Sequence, residues 1–201
     1  MGYLIDYLKK DVRFEESLKA CMNCGMCTAV CPAAEFYDYD PRRICDAVQC
    51  DDEETMEQLL ASDTIWYCGQ CMSCKTRCPR GNVPGELISV LRRASQELGL
   101  FCQSEKGQQQ KQLMDMLQRN ILEIGYCVYP DRVDPDYHPE QGPIWRWYHE
   151  NIGEVAPKLG ANYHGSGPGA LRDIPQEDLD EVRRIFEVTG GIELQKKVSH
   201  E

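Results

Sequence analysis

Two stretches of this chain repeat one cysteine pattern, and that repeat restricts the possible folds more than any other feature. Cys21, Cys24, Cys27 and Cys31 are followed by Pro32, and Cys68, Cys71, Cys74 and Cys78 are followed by Pro79. Both runs read C-x2-C-x2-C-x3-C-P. They hold eight of the twelve cysteines in 201 residues, more thiols than an intracellular chain carries unless they bind something. Zinc ribbons use C-x2-C pairs, but zinc has no use for a third cysteine at the same spacing and a fourth before proline. A disulfide framework fits less well still.

The first three thiolates of such a run lie on a tight loop that can wrap three irons of a cubane. The fourth leaves on the following turn and reaches the neighbouring cube. Two 4Fe-4S clusters are therefore expected, with their fourth ligands exchanged. Cluster one takes Cys21, Cys24, Cys27 and Cys78; cluster two takes Cys68, Cys71, Cys74 and Cys31. Pro32 and Pro79 help turn the chain away. Gly25, Gly69 and Ser73 stand where sulfur atoms would crowd the backbone, although Gly69 suits an ordinary turn equally well. Cys45, Cys50, Cys102 and Cys127 share no spacing and are expected as small buried hydrophobes.

Around the runs the apolar pattern is helical. Leu4, Ile5, Leu8, Val12 and Leu18 predict a helix within residues 3–20, and Pro41 at a helix start predicts another over 41–49. Further helices are expected over 53–61, 83–98 with Gly99 as a stop, and 106–123. No strand is expected. The 36 residues between the runs, Pro32 to Tyr67, carry helical patterns where a small bacterial ferredoxin has strands. The fold class is mainly α: an alpha-helical ferredoxin module over residues 1–124, then an extended, irregular tail over 125–201 ending in a helix.

That tail holds seven of the eleven prolines within residues 125–175, with Tyr126, Tyr129, Tyr137, Trp145, Trp147, Tyr148 and Tyr163. Such aromatic content needs a surface to bury against, and a partner protein is the favoured one, making the tail a docking arm. A D-x-x-Q pattern at Asp173 is expected to cap a last helix that Gly190 and Gly191 end, with residues 196–201 frayed.

Net charge is −11, and bound clusters would add to it, which excludes nucleic acid as a partner and gives a solvated surface or a field that steers basic partners. No stretch approaches the roughly 18 apolar residues of a membrane span. The start, with Asp6 where a myristoylation signal wants Ser or Thr, carries no lipid signal, so a soluble, cytoplasmic chain is expected. Gly165, Gly167 and Ala170 match a dinucleotide fingerprint formally, but no strand precedes them and Pro168 interrupts them. His138, His149, His164 and His200 pair with no cysteine at metal spacing. Lys75, Arg77 and Arg80 form either a solvated basic rim or a group that raises the potential of cluster two or docks a partner there. No catalytic constellation is present.

With the runs placed, the stretches ACMNCGMCTAVCP, YDPRRI from Tyr39 to Ile44, and WYCGQCMSCKTRCPRGNVPGELI from Trp66 to Ile88 resemble the C-type subunit of heterodisulfide reductase and its bacterial relatives. The resemblance covers residues 15–100. It implies a non-catalytic electron-transfer subunit, relaying electrons from an A-type flavin and iron-sulfur subunit to a B-type catalytic subunit with cysteine-rich CCG motifs. This sequence has no adjacent cysteine pair and cannot supply that motif itself. The alternatives are a free-standing dicluster ferredoxin that serves several enzymes, or the iron-sulfur subunit of another oxidoreductase.

Overall fold

The structure, a computed structural model, describes residues 2–136 and 139–199. Tyr137 and His138 of the tail, and His200 and Glu201 at the end, lie outside the described residues. Among the described residues there are eleven α-helices and no strand, so the chain is mainly α. It divides into two compact units, Met1–Lys111 with Lys196–Glu201, and Gln112–Gln195.

In the first unit, α1 (Tyr3–Leu8) buries Leu4, Ile5 and Leu8. The single helix expected over residues 3–20 breaks there, because the Asp11 carboxylate accepts from the Arg13 backbone N–H (3.0 Å) and guanidinium (2.6 Å). Such a local side-chain bond offers the backbone an alternative to helix. Helix resumes as α2 (Phe14–Ser17), and Val12, read as part of the apolar face, is 89% exposed. Two single turns, α3 (Met26–Ala29) and α4 (Ala33–Phe36), flank the end of the first cysteine run.

Next, α5 (Pro41–Cys50) starts on Asp40, whose carboxylate accepts from the Arg42 backbone N–H at 2.9 Å, with Pro41 in the first turn where its missing N–H is harmless. Likewise α6 (Glu53–Ala61) is capped by Asp52, which accepts from Thr55 N–H at 2.9 Å. The central element is α7 (Pro84–Glu97), which buries Leu87, Ile88, Val90, Leu91 and Ala94 and packs on α1, α2, α5 and α6. With Ile44, Met56, Leu60 and Ile65 these form one core, and truncating any of the leucines to alanine would cost about 2–5 kcal/mol. Gly99 ends the stretch at φ +75°, a left-handed value that glycine adopts without steric cost.

The helix α8 (Glu105–Ile124) leads into the second unit. That unit contains a helix not expected from the sequence, α9 (Gly142–Lys158), inside the segment read as irregular. Its prolines misled the pattern: Pro143 occupies the first turn, where its missing N–H is harmless, and Pro157 lies inside the helix only one residue from its end. The following loop closes on Asn162, whose N–H donates to Ala170 O (2.8 Å) and whose side-chain amide donates to Gly167 O (2.9 Å). The glycines of the apparent dinucleotide fingerprint therefore belong to a closed loop. After it come α10 (Gln176–Val188) and α11 (Gly191–Ser199). Asp173 does not cap α10, whose start has no side-chain cap. Gly190, at φ +77°, ends α10 but only redirects the chain, and residues 196–199 are helical where fraying was expected.

Several tail aromatics pack on one another. Tyr129 stacks on Tyr163 at 6.1 Å and meets Tyr126 at 5.3 Å, and the hydroxyls of Tyr126 and Tyr129 donate to the carbonyls of Arg172 and Leu171. Beside them His164 bridges two carboxylates, with Nδ1 to Asp173 and Nε2 to Asp131 both at 2.9 Å. Only the imidazolium can donate to both, and these bonds, Asp173 first and Asp131 second, raise the His164 pKa. A histidine whose folded pKa is raised stabilises the fold fully below its unfolded value and loses that contribution as pH rises through its folded value. The stability of this unit, followed by Trp145 and Trp147 fluorescence in urea, should therefore fall as pH rises above about 6.5, the ordinary histidine pKa. In a His164→Gln variant that slope should be absent.

Candidate metal centres

The repeat in cysteine spacing is also a repeat in backbone conformation. In the loop from Cys21 to Cys27, Asn23 (φ 60°) and Gly25 (φ 76°) are left-handed; in the loop from Cys68 to Cys74, Gln70 (φ 52°) and Met72 (φ 60°) are. These are the same two positions of each run. In both loops the amide after the left-handed turn begins faces the first sulfur: Asn23 N–H donates to Cys21 Sγ and Gln70 N–H to Cys68 Sγ, each at 3.4 Å. Of the small residues singled out from sequence, Gly25 does hold a left-handed position. Gly69 does not, and nothing stands within 4 Å of where its Cβ would be. Met72 is the residue that sequence reasoning missed. Aligning the two runs sets it opposite Gly25, at a conformation costing a non-glycine residue about 1–2 kcal/mol.

Two cavities form beside these loops. One is lined by Cys21, Cys24, Cys27 and Cys78, the other by Cys31, Cys68, Cys71 and Cys74. Each thus brings together three cysteines of one run and the last cysteine of the other. Two sets of contacts produce the exchange. At the first cavity Val83 N–H donates to Ser17 O (2.8 Å) and Lys19 N–H to the Asn82 side-chain carbonyl (2.8 Å), so the chain leaving the second run meets the chain entering the first. At the second, Tyr37 from the exit of the first run stacks on Tyr67 at the entrance of the second, at 4.5 Å and 9°. The start of α7 closes the second cavity tightly: a Cβ on Gly85 would lie 3.1 Å from Met72 Sδ and 3.7 Å from Cys74 Sγ.

The cavities differ in charge. Arg42 and Arg80 line the first, and among the described residues no charged side chain lines the second. This departs from the sequence reading, which assigned Arg80 to the second run's surroundings. Arg80 follows Cys78 across to the first cavity, where its Nε donates to Ala20 O at 3.4 Å, while Lys75 and Arg77 are exposed and line neither.

Burial pushes the Cys27 and Cys74 thiols up, whereas hydrogen bonding to Ser73 pulls Cys71 down. A buried thiol deprotonates only when a cation compensates it, as a bound metal does. Cys45 is buried as expected and lines the first cavity, and burial keeps it a neutral thiol. Cys50, Cys102 and Cys127, expected as buried, are exposed. Among the described residues no three Cys, His, Asp or Glu side chains converge to hold a single metal ion. Sets of four thiols set around a hollow suit a polynuclear cluster, which takes its thiolates at its corners.

Residues 17–82, which include both runs, match the family model of the 4Fe-4S dicluster domain. The chain is 32% identical over 197 residues to the C-type subunit of the Ferredoxin:CoB-CoM heterodisulfide reductase of Methanosarcina acetivorans, covering 96% of this chain and 71% of that one. To the protein of the same name from Methanosarcina mazei it is 34% identical over 123 residues, 61% of this chain and 68% of that one. The second C-type iron-sulfur subunit of the CoB--CoM heterodisulfide reductase of Methanocaldococcus jannaschii matches over 84 residues at 37%, covering 42% of this chain and 43% of that one. The segment beyond the dicluster domain is thus shared with some relatives. No helix among the described residues is long and apolar enough to cross a membrane. With its two cysteine runs inside a dicluster domain and its similarity to the Methanosarcina proteins, the chain belongs to the iron-sulfur family formed by the C-type subunits of heterodisulfide reductases.

Proposed function

We propose that this chain is the electron-relay subunit of a heterodisulfide-reductase-like complex, holding two 4Fe-4S clusters and working between an A-type flavin and iron-sulfur subunit and a B-type subunit with CCG motifs. The observation that carries the reading is the lining of the two cavities, each by three cysteines of one run and the fourth of the other. Cluster one is held by Cys21, Cys24, Cys27 and Cys78, and cluster two by Cys68, Cys71, Cys74 and Cys31. The clusters supply one-electron oxidation and reduction. The chain's own residues fix the thiolates, direct the Asn23 and Gln70 amides at sulfur, and set the charge around each cavity.

Anaerobically purified protein should contain about eight irons and about eight acid-labile sulfides per chain. Replacing Cys78 with serine should perturb the electron paramagnetic resonance signal of cluster one and spare cluster two, although Cys78 belongs to the second run. Selective loss of cluster two would refute the exchanged assignment.

A relay subunit also needs docking surface. On α9, Ile144 and Trp147 lie one turn apart, 69% and 51% exposed, and on α10 Ile185 and Val188 are 57% and 84% exposed, apolar residues of the kind that interfaces bury. Affinity purification from the native source should recover A-type and B-type subunits with this chain, whereas a free ferredoxin would emerge alone. In the double variant Ile144→Glu, Trp147→Glu, recovery of those subunits should fall at least about tenfold, the equivalent of 1.4 kcal/mol, with iron content unchanged. Undiminished recovery would show that α9 is not the docking face.

A further inference from the structure

Among the described residues three buried side-chain polar atoms lack a hydrogen-bond partner: the Tyr39 hydroxyl, the Trp66 indole N–H and the Asn82 side-chain NH2. Buried donors without partners are rare in folded proteins, and each calls for an explanation. Trp66 lines neither cavity. Asn82 lines the first cavity, but its carbonyl already accepts from Lys19 N–H, so a backbone bond accounts for its position. Tyr39 is different. It is only 3% exposed, lines the second cavity, and its hydroxyl makes no hydrogen bond at all.

The surroundings hold this hydroxyl in place. The Tyr39 ring packs edge-on against Tyr67 at 6.4 Å and 83°, and its N–H donates to Tyr37 O at 2.8 Å. Cys68 is fixed from another side: the Arg92 guanidinium donates to Cys68 O at 2.6 Å and to Ile65 O at 2.8 Å, and lies over the Trp66 ring at 5.4 Å. A phenol keeps its proton at neutral pH, and Tyr39 lines the same cavity as Cys68 with its ring against Tyr67, the residue before Cys68. A neutral O–H thus sits in a cavity with no charged side chain among its described lining residues, while the Arg92 guanidinium stands behind Cys68 on its carbonyl.

We propose that the Tyr39 hydroxyl donates a hydrogen bond to the Cys68 sulfur when that thiolate ligates cluster two, and that this bond raises the reduction potential of cluster two. Reduction adds negative charge to the cluster and its sulfurs, and a donor to sulfur stabilises the reduced state more than the oxidised one. Arg42 and Arg80 have no counterpart among the described residues that line the second cavity, where Tyr39 adds a neutral donor to the Arg92 guanidinium held on Cys68 O. The inference rests on the assignment of Cys68 to cluster two.

The test is redox titration of the full chain and its Tyr39→Phe variant, with each cluster followed by electron paramagnetic resonance. The variant should keep both clusters, and the reduction equilibrium of cluster two should move about tenfold toward the oxidised form, about 59 mV lower for a one-electron couple. Cluster one should not move. An unchanged cluster two, or equal shifts in both clusters, would overturn the proposal. If Tyr39→Phe fails to load, 3-fluorotyrosine placed at position 39 decides, since its more acidic hydroxyl is a stronger donor. A raised cluster-two potential supports the proposal and an unchanged one overturns it. Failure of the ligand assignment would be seen separately, as a wild-type chain without two clusters or a Cys68→Ser variant with cluster two intact.

Discussion

The architecture depends on a crossing. The backbone bond from Val83 to Ser17 and the side-chain bond between Asn82 and Lys19 hold the end of the second cysteine run against the start of the first. The Tyr37 and Tyr67 stack makes the reciprocal junction. Without these two junctions each run would be an independent loop with three cysteines near one another and a fourth directed elsewhere. With them, α7 can begin at Pro84 beside the first cavity, set Gly85 against the second and carry Leu87, Ile88 and Leu91 into the core. The core and the cysteine cavities are therefore one construction, since the helix that anchors the first also closes the second.

Much of this was legible from the chain alone because it rests on short-range rules. Cysteine spacing fixed which thiols could share a loop, and the apolar stripe of Met56, Leu59 and Leu60 marked α6, expected and observed over 53–61. What escaped depended on competition or on three dimensions. Asp11 breaks the first helix because its carboxylate captures Arg13, a local bond invisible to apolar periodicity. The prolines of the tail hid α9, of which Pro143 stands in the first turn and Pro157 one residue before the end. Asp173 looked like a helix cap, but His164 takes its carboxylate.

At the cysteine cavities the same division appears. The sets of four thiols follow from the spacing rule, whereas the charge around them does not, since proximity in sequence put Arg80 with the run it follows and the fold puts it beside the other. Arg42 comes from a different helix and had no sequence signal linking it to a cavity. Tyr39 was noticed only as part of a longer stretch. Its orphaned hydroxyl is a property of packing, and a sequence cannot display a missing partner.

The exchange of cysteines between the cavities also has a consequence for the order of events on the ribosome. A nascent chain that has emerged only through Cys31 has a complete four-cysteine run, yet its fourth thiol belongs to a cavity whose other three cysteines, Cys68, Cys71 and Cys74, do not yet exist. The first cavity must wait longer still, until Cys78 and the Asn82 and Val83 junction are made. Neither half of the module can mature by itself, and the two cavities are completed within a few residues of one another late in synthesis of the domain.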